Sequence, residues 1–254
     1  MAQNSPRPDR LLGGRLSLVQ HASGHRAGTD AVLLGACASP QTHGKGLDFG
    51  AGAGAAGLIA MCRAPALDMT FLEIDAATAA CCDENIRLNG FAGRAVTIVA
   101  NGLVAGARRA SGLRDGIYDF VLTNPPFHDL GAVRVTPDAG KARAHVAGEG
   151  GLAAWMKAAL ALLAPGGTFF MIHRADALAQ IVDAAKGRLG GLRLLPVQPR
   201  AGEPAIRLLV GGRKGSRAPL ALLPPLVLHA ADGSFTAEAD AIHRGEAGID
   251  LRLH

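Results

Sequence analysis

Short apolar runs of strand length alternate with longer segments of helix length, and this alternation restricts the fold more than any other feature of the sequence. Apolar strands separated by helices are typical of a mostly parallel sheet that is covered by helices on both faces. The last two strands have no helix between them, so we expect the final strand to be antiparallel. The expected strands are residues 46–49, 68–74, 95–99, 118–122, 168–173, 193–197 and 205–210, and the expected helices are residues 55–63, 76–88, 103–110, 152–163 and 176–188.

The same pattern divides the chain into three parts. Residues 46–217 form the expected α/β core, a doubly wound fold with a seven-stranded sheet. Residues 1–45 precede it, and we expect them to form a flap over a substrate and cofactor site. Residues 218–254 contain several prolines, and no periodicity predicts their structure.

Composition excludes several classes of protein. Of the residues, 49% are hydrophobic and 19% are charged, which excludes an intrinsically disordered chain. No run of about 18 uncharged apolar residues is present, so we expect no membrane span. The apolar stretch at residues 11–19 is interrupted by Gly13, Gly14 and Arg15, which argues against a secretory signal and for a cytoplasmic protein. The 4 cysteines form no Cys-x-x-Cys pair and no zinc-type cluster, so we expect reduced thiols and no metal.

A glycine-rich turn, Asp48-x-Gly50-x-Gly52-x-Gly54, joins the first strand of the core to its helix. Glycines let the backbone turn sharply and approach a ligand closely, and the following helix presents free N–H groups. Glu73 ends the second strand, where a carboxylate can accept hydrogen bonds from a ribose. Together these features predict a site for an adenosine-containing cofactor, without identifying which one.

The fourth strand ends in Thr123-Asn124-Pro125-Pro126-Phe127. Two consecutive prolines stop the strand, and ligands of open α/β sheets bind just beyond such strand ends. The prolines also restrict the backbone, which holds the Asn124 amide and the Pro125 carbonyl rigidly. This pair of acceptors suits an –NH2 group, and Phe127 can stack on a planar substrate. The alternative is a proline-rich strand exit with Phe127 in the core.

These motifs resemble those of class I S-adenosylmethionine-dependent methyltransferases that methylate amines. The resemblance extends from about residue 28 to residue 214. The run GTDAVLL, which begins at Gly28, and Arg207 in the final hairpin are similar to bacterial tRNA1(Val) adenine-N6 methyltransferases. The resemblance implies a Rossmann-like fold with the last strand antiparallel, and S-adenosylmethionine as the cofactor.

The resemblance also implies roles for individual residues. The implied cofactor residues are Asp48, Gly50, Gly52 and Gly54 beside the methionine part, Glu73 at the ribose, and Thr29 and Asp30 over the site from the flap. Where the family has an acid after the third strand, this chain has Asn101, whose carbonyl can accept a hydrogen bond from the adenine amine but carries no charge. The implied catalytic residues are Asn124, Pro125 and Phe127. Accepting both N–H hydrogens localises the lone pair of the amine, so positioning is needed more than a base.

Positive charge is concentrated in one stretch of the chain. The net charge is +5, but residues 134–217 contain 13 Lys and Arg against 5 Asp and Glu, so this stretch carries +8 and the remainder −3. The asymmetry suggests a polyanionic partner, although an ordinary solvated surface is an equal alternative. With the pocket for a base, it predicts a nucleic-acid partner, a structured RNA such as tRNA. The residues expected to contact phosphates include Arg134, Lys141, Arg143, Arg213, Lys214 and Arg217.

Three alternatives stay open on the sequence alone. The first is the same chemistry on a guanine of ribosomal RNA, an adenine of DNA or a glutamine of a protein. The second is an NAD(P)-dependent oxidoreductase, because Gly52-x-Gly54-x-x-Gly57 also fits the dinucleotide pattern. Against it, Tyr118 is the only tyrosine and has Leu122 four residues later, so no Tyr-x-x-x-Lys pair exists. The third is a non-catalytic RNA-binding module.

Overall fold

The computed structural model describes residues 8–20, 28–126, 151–251 and 253. The strands in these segments are β1 (Asp9–Leu11), β2 (Leu16–Leu18), β3 (His43–Phe49), β4 (Ala66–Glu73), β5 (Ala95–Val99), β6 (Tyr118–Thr123), β7 (Leu163–Arg174), β8 (Leu189–Arg200), β9 (Arg207–Lys214), β10 (Ala221–Leu222) and β11 (Leu226–His229). The helices are α1 (Thr29–Gly35), α2 (Ala55–Arg63), α3 (Ala76–Leu88), α4 (Ala105–Ala110), α5 (Gly151–Leu162), α6 (Leu178–Ala185) and α7 (Ala237–His243).

The main sheet has the order β10-β8-β9-β7-β6-β3-β4-β5, and β11 also pairs with β8. Within it β9 is antiparallel to both neighbours, while the other pairs are parallel. The expected α/β fold, mostly parallel with one late antiparallel strand, is therefore confirmed.

The sheet has nine strands where the sequence predicts seven. The two additional strands, β10 and β11, come from residues 218–254 and pair with the outer edge of β8. They satisfy backbone groups that an edge strand would otherwise leave unpaired. Each is only two to four residues long, too short for a period of two to be recognised.

Helices cover the two faces of the sheet and enclose two apolar cores. One core joins residues of α1, α2, α3 and α7 to one face, with Leu33, Leu58 and Phe71 fully buried. The other joins α5 and α6 to the opposite face, around Phe169 and Met171. The strands at the centre are thus buried on both sides, which is why they read as continuous apolar runs.

The N-terminal and C-terminal segments pack against each other on one side of the core. Leu16 and Leu18 of the β1–β2 hairpin share an apolar cluster with Ile242 and Leu251. Backbone contact continues at Ile249, whose N–H donates to the Ala36 carbonyl at 2.8 Å. No helix in the described segments is long and apolar enough to cross a membrane.

Candidate active site

The glycine turn and the Asn-Pro-Pro motif leave the sheet side by side. Strands β3 and β6 are neighbours, with Asp48 paired to Leu122, so the turn after Phe49 and the residue after Thr123 emerge at the same edge. Strand β3 also pairs with β4 on its other side, which makes this the point where the strand order reverses. Open α/β sheets bind ligands at this point.

The glycine turn has a backbone conformation that favours glycine, and it leaves free space at Gly52. Gly50 and Gly52 have φ values of 79° and 58°, a region that side chains other than glycine rarely adopt. The N–H groups of Gly50 and Ala51 donate to the Leu72 carbonyl at 2.9 and 3.0 Å, which anchors the turn on β4. A Cβ on Gly52 would meet no atom within 4 Å. The free space above Gly52 fits the methionine part of an adenosine cofactor.

Glu73 lies at the end of β4 and bridges to the glycine turn. Its Oε2 accepts from the Gly52 N–H at 2.9 Å, and its Oε1 accepts from Ile74 and Asp75 at 2.8 and 3.0 Å. The carboxylate is held rigidly by these three donors: Oε1 uses both of its lone pairs, and Oε2 keeps one lone pair that a ribose hydroxyl can reach. Glu73 therefore lies beside the glycine turn at the carboxyl end of β4, and its role at a ribose stays a prediction.

Asp48 is buried beneath the same turn. Its Oδ2 accepts from the N–H of Gly57 in the first turn of α2 at 2.9 Å, so the carboxyl group fixes the helix to the strand. Burial raises the pKa of Asp48 to about 7; the Gly57 hydrogen bond opposes this rise, and the nearby Glu73 carboxylate adds to it. Asp48 therefore supports the glycine turn from below by fixing β3 to the start of α2.

Asn101 follows β5 at the same edge. The N–H of Ala100 donates to the Glu73 carbonyl at 3.0 Å, which places this loop beside β4. The Asn101 Oδ1 accepts from the Leu103 N–H at 3.0 Å. One of its lone pairs is thus used inside the loop, and the other is available for a ligand amine.

Asn124 carries the most informative unpaired atom of the site. Its Oδ1 is buried and has no hydrogen-bond partner among the described residues. Pro125 behind it is buried and Pro126 is exposed. A buried acceptor without a donor is costly in a folded protein, so this oxygen is suited to a donor group that arrives with a ligand. Phe127, the third expected catalytic residue, lies outside the described residues.

Two residues that sequence reasoning missed connect the motifs. The Trp155 Nε1 donates to Thr123 Oγ1 at 2.9 Å, and that hydroxyl donates to the Phe49 carbonyl at 2.6 Å. The indole also makes an edge-to-face contact with the Phe49 ring at 5.1 Å between centroids. In sequence, Trp155 is one aromatic residue in an apolar helix and reads as core, whereas Thr123, which directly precedes Asn124, offered the only available signal.

Thr29 and Asp30 begin α1, and each is held by a distant part of the chain. The Arg207 Nε donates to both carboxylate oxygens of Asp30 at 2.9 and 3.1 Å. The Thr29 Oγ1 lies 3.4 Å from Nε2 of His243 in α7. The carboxylate of Asp30 is therefore engaged by β9, and its role over the cofactor stays a prediction.

The expected phosphate-binding cations are not gathered at this edge. Arg213 and Lys214 end the antiparallel strand β9, where Arg213 pairs with Thr168 near the start of the parallel run of β7. They therefore lie toward the amino edge of the sheet, away from Asn124. The Lys214 Nζ donates to the carbonyls of Leu160 and Leu163 at 2.8 and 2.6 Å, so it serves the end of α5. Arg134, Lys141 and Arg143 lie outside the described residues.

The four cysteines are free thiols, and Cys37, Cys81 and Cys82 are buried. Burial raises the pKa of the Cys37 and Cys82 thiols far above the ordinary value. They are inert packing residues, as expected from the sequence.

Comparison with known proteins identifies relatives of this architecture. The family described as "Methyltransferase small domain" matches residues 26–182. A tRNA1(Val) (adenine(37)-N6)-methyltransferase of Porphyromonas gingivalis (strain ATCC BAA-308 / W83) is 30% identical over 222 residues, which are 84% of this chain and 85% of that protein. A protein of the same name from Shewanella amazonensis is 35% identical over 117 residues, but the match covers 45% of this chain and only 47% of the relative.

A solved structure extends the similarity to nearly the whole fold. The predicted O-methyltransferase Atu636 from Agrobacterium tumefaciens superposes with a TM-score of 0.75 at 30% sequence identity, covering 88% of this chain and 100% of that one. A family match over more than half of the chain excludes the oxidoreductase alternative. The chain belongs to the methyltransferase small domain family and is a class I S-adenosylmethionine-dependent methyltransferase.

Proposed function

We propose that the chain transfers a methyl group from S-adenosylmethionine to the N6 amine of an adenine in structured RNA, a tRNA. The observation that supports this proposal is the buried Oδ1 of Asn124 beside Pro125, which has no hydrogen-bond partner among the described residues. An exocyclic amine brings two N–H donors, which match the side-chain oxygen of Asn124 and the carbonyl of Pro125. A hydroxyl acceptor would bring only one.

The chemistry requires alignment more than acid–base catalysis. When bound, S-adenosylmethionine supplies an electrophilic methyl group on a sulfonium. Asn124 and Pro125 hold the amine through both N–H groups, which directs the nitrogen lone pair out of the aromatic ring. The new N–C bond forms as the S–C bond breaks, and the amine then loses one proton to solvent. Holding two reactants in line supplies much of the rate enhancement in such reactions.

The glycine turn and Glu73 fit the donor side of the same reaction. The open space above Gly52 would take the methionine part, and the remaining lone pair on Glu73 Oε2 would accept from a ribose hydroxyl. Asn101 would accept from the adenine amine of the cofactor through its remaining lone pair. Donor and acceptor sites then lie on adjacent strands, β3 and β6.

The choice of an RNA adenine rests on the names of the relatives. The Porphyromonas and Shewanella proteins are tRNA adenine-N6 methyltransferases, whereas the Agrobacterium protein is described as a predicted O-methyltransferase. The two unlike names leave the acceptor to experiment. Transfer of tritiated methyl groups to total RNA, DNA and protein extracts, followed by nucleoside analysis, identifies it. Labelled N6-methyladenosine in tRNA is the expected product; label in ribose hydroxyls, in guanine or in protein would replace the proposal.

Substitution of Asn124 tests the role of its side-chain oxygen. We expect Asn124→Ala to lower kcat by roughly 10²–10³-fold, as the loss of one hydrogen-bonding group directed at the transition state does elsewhere. Cofactor affinity, measured by calorimetry, should stay within about threefold because the side chain faces the acceptor. Asn124→Asp keeps an acceptor oxygen and should retain more activity than the alanine variant. A similar loss of cofactor affinity and of kcat would contradict this division of roles.

A further inference from the structure

Trp155 is the only tryptophan of the chain, and it lies between the donor and acceptor sides of the site. It sits in α5, where it is half-buried. A Cβ added to Gly50 would lie 2.6 Å from the benzene edge of its indole, so the ring packs directly against the first glycine of the turn.

A hydrogen-bonded chain runs from the indole to both motifs. The Trp155 N–H donates to the Thr123 hydroxyl, which donates to the Phe49 carbonyl. Phe49 directly precedes Gly50, and Thr123 directly precedes Asn124. Thr123 is fully buried, and in such surroundings water does not compete for the bonds. These two hydrogen bonds therefore fix the distance between the backbone of the glycine turn, which would hold the methyl donor, and the side chain of Asn124, which would hold the acceptor.

We propose that Trp155 is a positioning residue for methyl transfer. It acts through Thr123 to hold the glycine turn and Asn124 at a fixed distance from each other. This proposal rests on the function proposed above. Displacements of about 1 Å from the reactive arrangement cost on the order of 10²-fold in rate. Loss of the link should thus reduce kcat while leaving most cofactor contacts intact.

Conservative variants separate the hydrogen bond from simple packing. Trp155→Phe retains an aromatic ring against Gly50 but removes the N–H donor, and Thr123→Val removes the hydroxyl at nearly constant volume. We expect each to lower kcat by about 10–50-fold on unmodified valine tRNA transcript, with the dissociation constant of S-adenosylhomocysteine changed less than threefold. The double variant should be little worse than either single variant, because both break the same link. Thr123→Ser keeps the hydroxyl, so its kcat should be much closer to that of the unmodified chain than the kcat of Thr123→Val.

Thr42→Val provides a matched control. It makes the same chemical change just before the opposite end of β3, where the hydroxyl accepts from the Ser39 N–H at 3.0 Å. Its kcat should equal that of the unmodified chain even if its melting temperature falls. A Thr123→Val variant that loses stability but keeps kcat within twofold would overturn the proposal and assign Thr123 a structural role.

Fluorescence of Trp155 gives a readout that does not depend on the acceptor. Because the indole touches Gly50, S-adenosylhomocysteine should change its emission saturably, with a midpoint equal to the calorimetric dissociation constant. An emission spectrum that stays constant at saturation would refute contact between Trp155 and the donor side. The two proposals fail separately: full activity of Asn124→Ala refutes the proposed function, whereas an inactive Asn124→Ala beside fully active Trp155→Phe and Thr123→Val refutes only the positioning role.

Discussion

Two opposing effects act on the pKa of Asp48. Its carboxyl group accepts a hydrogen bond from Gly57, which favours the ionised form, yet burial outweighs this bond and raises the pKa to about 7. In the unfolded chain the group titrates near 3.8. Between these two values the folded protein binds more protons than the unfolded protein. Stability that derives from Asp48 is therefore present at low pH and is lost as the pH rises through this window.

Asp48→Asn should remove this pH dependence. The amide oxygen can still accept from Gly57, but the side chain no longer titrates. We expect the free energy of unfolding of the unmodified chain to fall, relative to the variant, between pH 5 and pH 7, with a slope of up to about 1.4 kcal/mol per pH unit. Urea unfolding across this range measures the difference. If the free energies of unfolding of the two proteins change in parallel from pH 5 to pH 8, Asp48 is already ionised in the folded protein.

The location of residues at strand ends could be predicted from the sequence. Contacts between residues far apart in the sequence could not. The location of Asp48, Gly52 and Glu73 at one edge of the sheet could be predicted from sequence because parallel strands end at a common edge. The ion pair between Asp30 and Arg207 joins residues 177 positions apart, and it depends on the insertion of β9 beside β7. Trp155 was missed for a similar reason, since its partner Thr123 is 32 positions away.

Helix α3 illustrates how an element positions the glycine turn. Its Asn85 is fully buried and uses its amide three times: Oδ1 accepts from the Val19 N–H at 2.7 Å, and Nδ2 donates to the carbonyls of Val19 and Ala53 at 2.9 and 3.0 Å. One turn later, Asn89 pairs in the same way with the N–H and carbonyl of Ser17. Only Asn85 reaches the glycine turn, through Ala53.

The two asparagines therefore form a matched pair of variants. Both Asn85→Ala and Asn89→Ala leave backbone groups of the N-terminal segment without partners, and each should cost about 1–3 kcal/mol of stability. Only Asn85→Ala also releases Ala53, so we expect it to weaken S-adenosylmethionine binding by about tenfold while Asn89→Ala changes it less than threefold. Calorimetry on both variants, with unfolding as the stability control, checks this. Equal affinities would show that the turn holds its shape without α3.

Element boundaries follow the sequence where apolar periodicity is strong. Helices α2 and α3 and strand β5 begin and end at the predicted residues. Among the helices the largest difference concerns α6, predicted over residues 176–188 but observed as Leu178–Ala185. A 3-10 turn occupies Ala175–Ala177, and Lys186 has an extended ψ of 128°. Local apolar spacing does not encode such breaks, because they arise where the helix meets β7 and β8.

The arginines that the structure describes within the basic stretch, residues 134–217, do not form one surface in the folded molecule, because they are divided between the two edges of the sheet. The exposed arginines Arg174 and Arg200 and the partly buried Arg207 lie toward the carboxyl edge, and each is paired with an acid: Asp176, Glu203 and Asp30. Toward the amino edge, Arg213 and Arg217 are exposed, and the described residues include no acid in an ion pair with either. Unpaired cations contribute more to phosphate binding than cations that must first leave an ion pair. Of the residues named above as expected phosphate contacts, Arg213 and Arg217 are thus the exposed ones without an ion pair among the described residues, and their contact with RNA stays a prediction.

Lys214 is more deeply engaged than Arg213, which is exposed and donates to one carbonyl, that of Gly166, at 3.2 Å. Partial burial lowers the pKa of Lys214, and its ammonium group donates to two carbonyls at the end of α5. Replacing it would destabilise the helix end and would confound any binding measurement. A test of the amino edge therefore uses Arg213 and Arg217 alone.

The amino edge lies within reach of a large RNA bound at the active site. Strand β6 has 6 residues, which span about 20 Å, so a folded RNA of tRNA size can contact Asn124 and this edge together. We expect Arg213→Ala/Arg217→Ala to weaken binding of valine tRNA transcript and to reduce the slope of log affinity against log salt by roughly 0.7–0.9 per lost contact. Arg200→Ala/Arg244→Ala removes the same charge from two ion-paired arginines and should leave the slope nearly unchanged. Cofactor affinity should be the same in both double variants. Equal losses in the two would mean that net charge alone governs binding, and no loss in either would leave the amino edge without a role in RNA recognition.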